Sequence, residues 1–261
     1  MKKTLGIGVA LLTLIIILLI GKWAMVTRDD VAGESSTSTP ESSFATYKND
    51  MFGISFSYPK VIVPETEFKS FYHLSSEWRV GASEVSGTPL VAIPLYRIDN
   101  GGVYKSYPMY YSAELRVGAS TSSVAVAECL TGGKENNLEM SGGPTTTMIN
   151  GVEWKKVPVG SGGMMQFLYG NSYRLIRGDT CLTVETLKTG SNYRDTPTPE
   201  DISDVDLEAH YTDLDKILET LRVDFSGVHC GGNIKNAPTC PNGYRCQLGP
   251  VPDVGGSCVA D

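Results

Sequence analysis

Hydrophobic and polar positions divide the chain into four stretches. From Thr4 to Gly21 there is no charge, and Leu11 to Ile20 is apolar on every helical face apart from Thr13. At about 1.5 Å rise per residue, a helix of this length spans roughly 27 Å, just enough for the roughly 30 Å hydrocarbon core of a bilayer. Lys2 and Lys3 precede the run, and Lys22, Trp23 and Arg28 follow it. The pattern predicts a membrane anchor over residues 1–28. A buried helix of a soluble core would carry a polar face, which this run lacks. A cleaved signal peptide is the competing reading. Its apolar core is usually about 7–15 residues and ends at a small-x-small site; Gly21-Lys22-Trp23-Ala24-Met25 fits that poorly. The anchor is therefore expected to stay. Residues 29–46 follow as a Ser/Thr-rich linker with no apolar periodicity, too polar to offset the entropy of ordering.

From Tyr47 to Phe225 the alternation turns to that of an antiparallel sheet. Ile54-Ser55-Phe56-Ser57-Tyr58 alternates with period two and stops at Pro59. Leu90 to Ile98 is a strand in which Pro94 predicts an edge or a bulge. Asn100-Gly101-Gly102 reads as a turn, and Val103 to Val117 as aromatic-rich β-structure. Ser120 to Leu130 switches to a short helix, with serines before an Ala/Val stretch. Thr145 to Ile149 and Val152 to Val159 flank Asn150-Gly151, the signature of a type I′ hairpin. Met164 to Tyr169 and Tyr173 to Arg177 are expected as a strand pair around Gly170-Asn171, followed by a strand over Cys181 to Leu187. Leu214, Ile217, Leu218 and Leu221 recur at helical spacing. That helix is expected to begin near Asp213 and Asp215, after an acidic loop holding Glu200, Asp201, Asp204, Asp206 and Glu208. The predicted class is α+β, an antiparallel sheet with a few helices packed on one face.

Composition narrows the function classes. The 261-residue chain has a net charge of −7, which argues against a nucleic-acid surface, since that needs clustered Lys and Arg. Six cysteines in a chain of this size favour an oxidising compartment. The charges flanking the anchor are nearly balanced by the positive-inside count. The cysteines settle the orientation expected: N-terminus cytoplasmic, the rest extracytoplasmic. Cys129 and Cys181 fall in the main domain and the other four in residues 226–261, so one bridge is expected as Cys129–Cys181 and two in the tail. The tail's C-x9-C-x5-C-x11-C spacing lacks the close pairs of structural zinc sites, so disulfides are favoured over a metal.

Two resemblances add to this. The opening Tyr47-x4-Phe52-Gly53-Ile54-Ser55-Phe56-Ser57-Tyr58-Pro59 and the closing Leu214-Asp215-Lys216-Ile217-Leu218-Glu219-Thr220-Leu221-Arg222-Val223 resemble exported bacterial domains of the PsbP-like group. That resemblance implies an adaptor or ligand-binding module and carries over no catalytic residue. In the tail, Cys230-Gly231-Gly232, Pro238-Thr239-Cys240 and Gly243-x2-Cys246-Gln247 resemble a fungal-type family 1 cellulose-binding module. That family's pairing implies Cys230–Cys246 and Cys240–Cys258. It binds through a row of three aromatics, where this tail has only Tyr244, with Asn233 and Gln247 as polar contacts.

Catalytic signatures are not found. His73, His210 and His229 have no motif neighbours, and no G-x-S-x-G elbow occurs. Gly132-Gly133-Lys134 lacks the first glycine of a phosphate loop, and Glu135 stands where Ser or Thr is needed. The acidic run lacks the ligand offsets and central glycine of a calcium loop. Tyr104, Tyr107, Tyr110 and Tyr111 are either sheet packing or a ligand patch. The expectation is a bacterial-type, single-pass membrane protein with a non-catalytic extracytoplasmic binding module. No cofactor or metal and no nucleic-acid partner is expected, and a protein or glycan partner would be met at the cell surface. The alternatives are a carbohydrate-binding surface protein acting through the tail, and an envelope enzyme without a recognisable motif.

Overall fold

A computed structural model of the protein describes residues 43–66, 87–98, 110–131, 144–163, 166–191, 203–233 and 237–261. The predicted anchor and most of the linker, His73, Tyr104, Tyr107, the Asn100-Gly101-Gly102 turn and the Gly132-Gly133-Lys134 segment lie outside these residues. Among the described residues, no helix is long and apolar enough to cross a membrane.

The class is α+β, built on antiparallel sheet. Six strands form the main sheet: β3 (Thr88–Ile98), β4 (Tyr110–Ser120), β5 (Thr145–Ile149), β6 (Val152–Gly163), β7 (Gln166–Arg177) and β8 (Thr180–Ser191), in spatial order β3-β4-β8-β7-β6-β5. A smaller sheet joins β1 (Phe44–Asn49), β2 (Ile54–Pro59) and β9 (Arg222–Val223) in sequence order. The tail contributes β10 (His229–Cys230), β11 (Tyr244–Leu248) and β12 (Gly256–Ala260), with β12 in the middle. Among the described residues, the α-helices are α1 (Ser123–Glu128) and α2 (Asp204–Glu219).

Several expectations hold. The β5–β6 hairpin closes on Asn150 (φ 47°) and Gly151 (φ 80°), both in the left-handed region that a type I′ turn requires. Strand β3 is an edge strand, and its register with β4 shifts between Pro94 and Tyr96. A proline has no N–H to give the ladder, so it sits where the pairing slips.

Others are corrected. Gly170 and Asn171 do not turn the chain; they lie in the middle of β7, opposite Leu187 and Thr186 of β8. A Cβ on Gly170 would fall 1.9 Å from the Thr186 carbonyl oxygen, so the glycine allows two backbones to approach. Helix α2 begins at Asp204, about two turns earlier than expected. Ser203 is its N-cap, accepting from the Asp206 N–H at 3.1 Å and donating to the Asp206 carboxylate at 2.6 Å. Asp204 and Asp206 therefore occupy the electropositive first turn, where acids are stabilising. Asp213 and Asp215 lie mid-helix instead.

The helices also lie on opposite faces of the main sheet, not on one. Alternation along β4 sends Ala113, Leu115, Val117 and Ala119 to one face, where they share a core with Leu214, Ile217 and Leu218 of α2. Each Leu, Ile or Val side chain fully buried there contributes about 1.5–3 kcal/mol. Trp154 of β6 is packed into the same core. Helix α1 covers the other face at one end, where Cys129 and Cys181 pack against Ala92.

Candidate functional site

The tail does not hang from the main domain. Residues 42–261 form one compact unit, and Cys230 and Cys258 belong to the same apolar core as α2 and the main sheet. A dense set of bonds around Asp224 makes the join. The Asp224 N–H donates to the Gly53 carbonyl at 2.7 Å, and the Arg177 Nε donates to the Asp224 carbonyl at 2.6 Å. The Asp224 carboxylate accepts from the Ser226 N–H at 2.8 Å and from the Tyr244 hydroxyl at 3.2 Å. The Ser226 bonds, with help from Tyr244 and Arg177, hold its carboxyl below the usual carboxylate range. Gly53 is required here: its φ is 61°, and a Cβ would come within 2.5 Å of the Asp224 carbonyl oxygen. Beyond the join, the Cys258 N–H donates to the Val228 carbonyl at 2.8 Å and the Gly227 N–H to the Cys258 carbonyl at 2.9 Å.

This docking borders an open cleft of about 770 Å³. One wall is the β7–β8 turn with Arg177 and Asp179, together with Glu153 of β6. The other is the tail, with His229, Pro238, Thr239 and the Cys240–Cys258 bridge. Leu175 and Phe225 supply an apolar floor. The volume lies in the usual range for a small-ligand site. Charges of both signs at the rim supply hydrogen-bond donors and acceptors to a polar ligand.

All six cysteines are paired, as Cys129–Cys181, Cys230–Cys246 and Cys240–Cys258. Among the described residues, the only group of three ligand atoms close enough to share an ion is Cys230, Cys240 and Cys246, and these sulfurs are already in disulfides. Of the residues named for carbohydrate contact, Asn233 and Gln247 are exposed. Tyr244 is half-buried, its ring edge-to-face with Phe225 at 5.8 Å between centroids. Tyr244 belongs to the join. His210 stacks on Tyr96 at 4.3 Å, and His229 lines the cleft. Tyr110 and Tyr111 lie on β4 opposite Ser191 and Gly190.

One constellation escaped the sequence reading. On the α1 side of the sheet, neighbouring strands place Glu114 and Arg116 of β4, Glu185 of β8 and Arg174 of β7 together. Glu114 and Arg116 are joined at 2.6 Å, each side chain only 7% exposed. Arg116 lies directly opposite Glu185, and Glu185 opposite Ser172. Glu185 keeps some surface, but its carboxyl is buried. Burial raises its pKa, against the pull of Arg116 and Arg174. Ser112 and Thr189 share a hydroxyl contact on the same face. Alternating charges in a strand ordinarily mark a solvated face, so E-L-R and T-V-E gave no sign of burial. A buried alternation of acids and bases is a charge-balanced brace, and its interior position keeps it from ligand.

Compared with known proteins, the chain matches no protein family, and no curated protein is found to be similar to it.

Proposed function

We infer that the protein is a membrane-anchored, extracytoplasmic binding module of the cell envelope, non-catalytic, whose ligand seat is the cleft between the main sheet and the tail. The observation that carries this reading is the fusion of the tail into the domain core. With Cys230 and Cys258 buried there and Tyr244 bonded to Asp224, the tail is a fixed wall of the cleft. A fixed wall is pre-organised for binding and saves the ligand the entropy of ordering it. The three disulfides suit an oxidising compartment. The uncharged run from Thr4 to Gly21 supports the anchor.

A thermal-shift screen of the full-length protein in detergent tests the cleft. Probes are muropeptides, envelope glycan fragments and short peptides, read against the cleft variant E153A/H229A. The expected result is a probe that raises the Tm of the wild type and not of the variant. A probe that stabilises both equally places the site elsewhere. Protease accessibility on intact and permeabilised cells tests the orientation: the tail is cut in intact cells if it lies outside.

A second reading keeps carbohydrate binding on the tail itself. The exposure of Asn233 and Gln247 favours it. Retention of the protein on insoluble polysaccharide, lost in N233A/Q247A, would support that reading; no retention removes it.

A further inference from the structure

A second hollow, of about 250 Å³, opens on the helix side of the sheet beside α2. Lys156 of β6, Tyr169 and Asn171 of β7, Thr186 and Lys188 of β8, and Asp215 of α2 line it. Strand register puts the two lysines on one face of the sheet, on either side of β7. Lys156 pairs with Tyr173, and Tyr169 pairs with Lys188, so both project from that face, on the strands that flank β7.

Both ammonium groups rest on rings. Lys188 Nζ lies 4.1 Å from the Tyr211 ring centroid and 6.0 Å from that of Tyr169, and Lys156 Nζ lies 5.9 Å from the Tyr173 centroid. Among the described residues, neither has a carboxylate within ion-pair distance. An ammonium over an aromatic face keeps its N–H donors for another acceptor. Two lysines against one aspartate make the hollow locally positive on a chain of net charge −7. Tyr169, 41% exposed, adds a flat apolar ring at the mouth, and Asn171 and Thr186 add neutral polar contacts. At about 30 Å³ per water, the volume equals roughly eight waters, the size of a monosaccharide rather than a polymer.

We propose that this hollow seats a small organic anion, a carboxylate or phosphate group carried on a ring of monosaccharide size. Lys156 and Lys188 hold the anionic group, and Tyr169 packs on the ring. No residue lines both this hollow and the junction cleft, so the two sites fail independently.

Isothermal titration calorimetry on the full-length protein in detergent tests the proposal, with sodium glucuronate, glucose 6-phosphate, inorganic phosphate and neutral glucose as probes. At least one anion is expected to bind, more weakly as salt is raised. K156M/K188M should weaken it about tenfold or more, and D215N, by removing the opposing charge, should strengthen it about three- to tenfold. Gain of affinity is the informative readout, because a merely structural aspartate would not give it. Asp215 is exposed, so D215N decides the matter even if the double lysine variant fails to fold. Binding of glucuronate alone identifies a carboxylate ligand; binding of glucose 6-phosphate and phosphate identifies a phosphate. No heat from any anion up to concentrations on the order of 10 mM overturns the proposal. Equal binding of glucose, or an affinity unmoved by D215N, also overturns it.

Discussion

The Tyr244 hydroxyl donates to the Asp224 carboxylate at 3.2 Å, linking the first long strand of the tail to the chain just past β9. Asp224 also caps the Ser226 N–H, so one carboxylate serves both sides of the join. Tyr244→Phe keeps the ring contact with Phe225 and removes only the hydroxyl bond, and should cost about 0.5–1.5 kcal/mol in urea unfolding. Because folding lowers the Asp224 pKa, its contribution is fully present above the unfolded value, about 3.9, and is lost as pH falls through the lowered folded value. Asp224→Asn should remove that part of the acid dependence. An unchanged acid profile in the variant would show that the carboxylate does not hold the join.

The Cys129–Cys181 bridge closes a loop with a sequence separation of 52 and pins α1 to β8. In the chain-entropy picture such a loop contributes about 4 kcal/mol. C129A/C181A should lower stability by about 2–5 kcal/mol, and disulfide mapping by mass spectrometry should find no free thiol in the wild type. A free Cys129 or Cys181 in the oxidised protein would refute the bridge.

The buried brace behaves asymmetrically. Arg116→Met leaves Glu114 and Glu185 facing each other in a low dielectric and should cost about 3–5 kcal/mol. Its pH signature is opposite to that of Asp224. Burial raises the folded pKa of Glu185, so the unfolded chain releases its proton first as pH rises. Native stability therefore declines from the ordinary glutamate range, near 4.3, up through the raised value. Glu185→Gln should lack this decline when urea midpoints are measured against pH. An identical profile would mean that the carboxyl is no harder to ionise in the fold.

Gly170 is held by approach, not by turn geometry. Gly170→Ala places a methyl group against the Thr186 carbonyl, an overpacked contact worth about 1–3 kcal/mol of destabilisation. A thermal melt equal to that of the wild type would show that β7 and β8 can separate without cost.

These positions mark where sequence reading succeeds and where it stops. Asn150-Gly151 announced its hairpin because few residues accept positive φ at two consecutive positions. The face of Leu214, Ile217 and Leu218 was legible from helical period, but the start of α2 was not. Asp204 to Glu208 has the composition of a loop, and only the Ser203–Asp206 cap makes it a first turn. Gly170-Asn171 has turn composition too, and only the neighbouring strand reveals why the glycine is there. The disulfide partners in the main domain followed from cysteine arithmetic. The junction cleft did not, because its walls are far apart in sequence: Glu153 and Arg177 on one side, His229 and Thr239 on the other. Nor did the lysine hollow, since Lys156 and Lys188 come to line one hollow only through the register of β6, β7 and β8.

The cleft is the centre of the account, and a photocrosslinker placed inside it tests it most directly. Thr239 is exposed and lines the cleft, whereas Val205 on α2 is 79% exposed and lies away from it. Full-length protein carrying p-benzoylphenylalanine at either position would be irradiated in intact cells. The account predicts a discrete adduct from position 239, diminished by E153A/H229A, and none from position 205. Equal labelling from both positions, or none from 239, would contradict it.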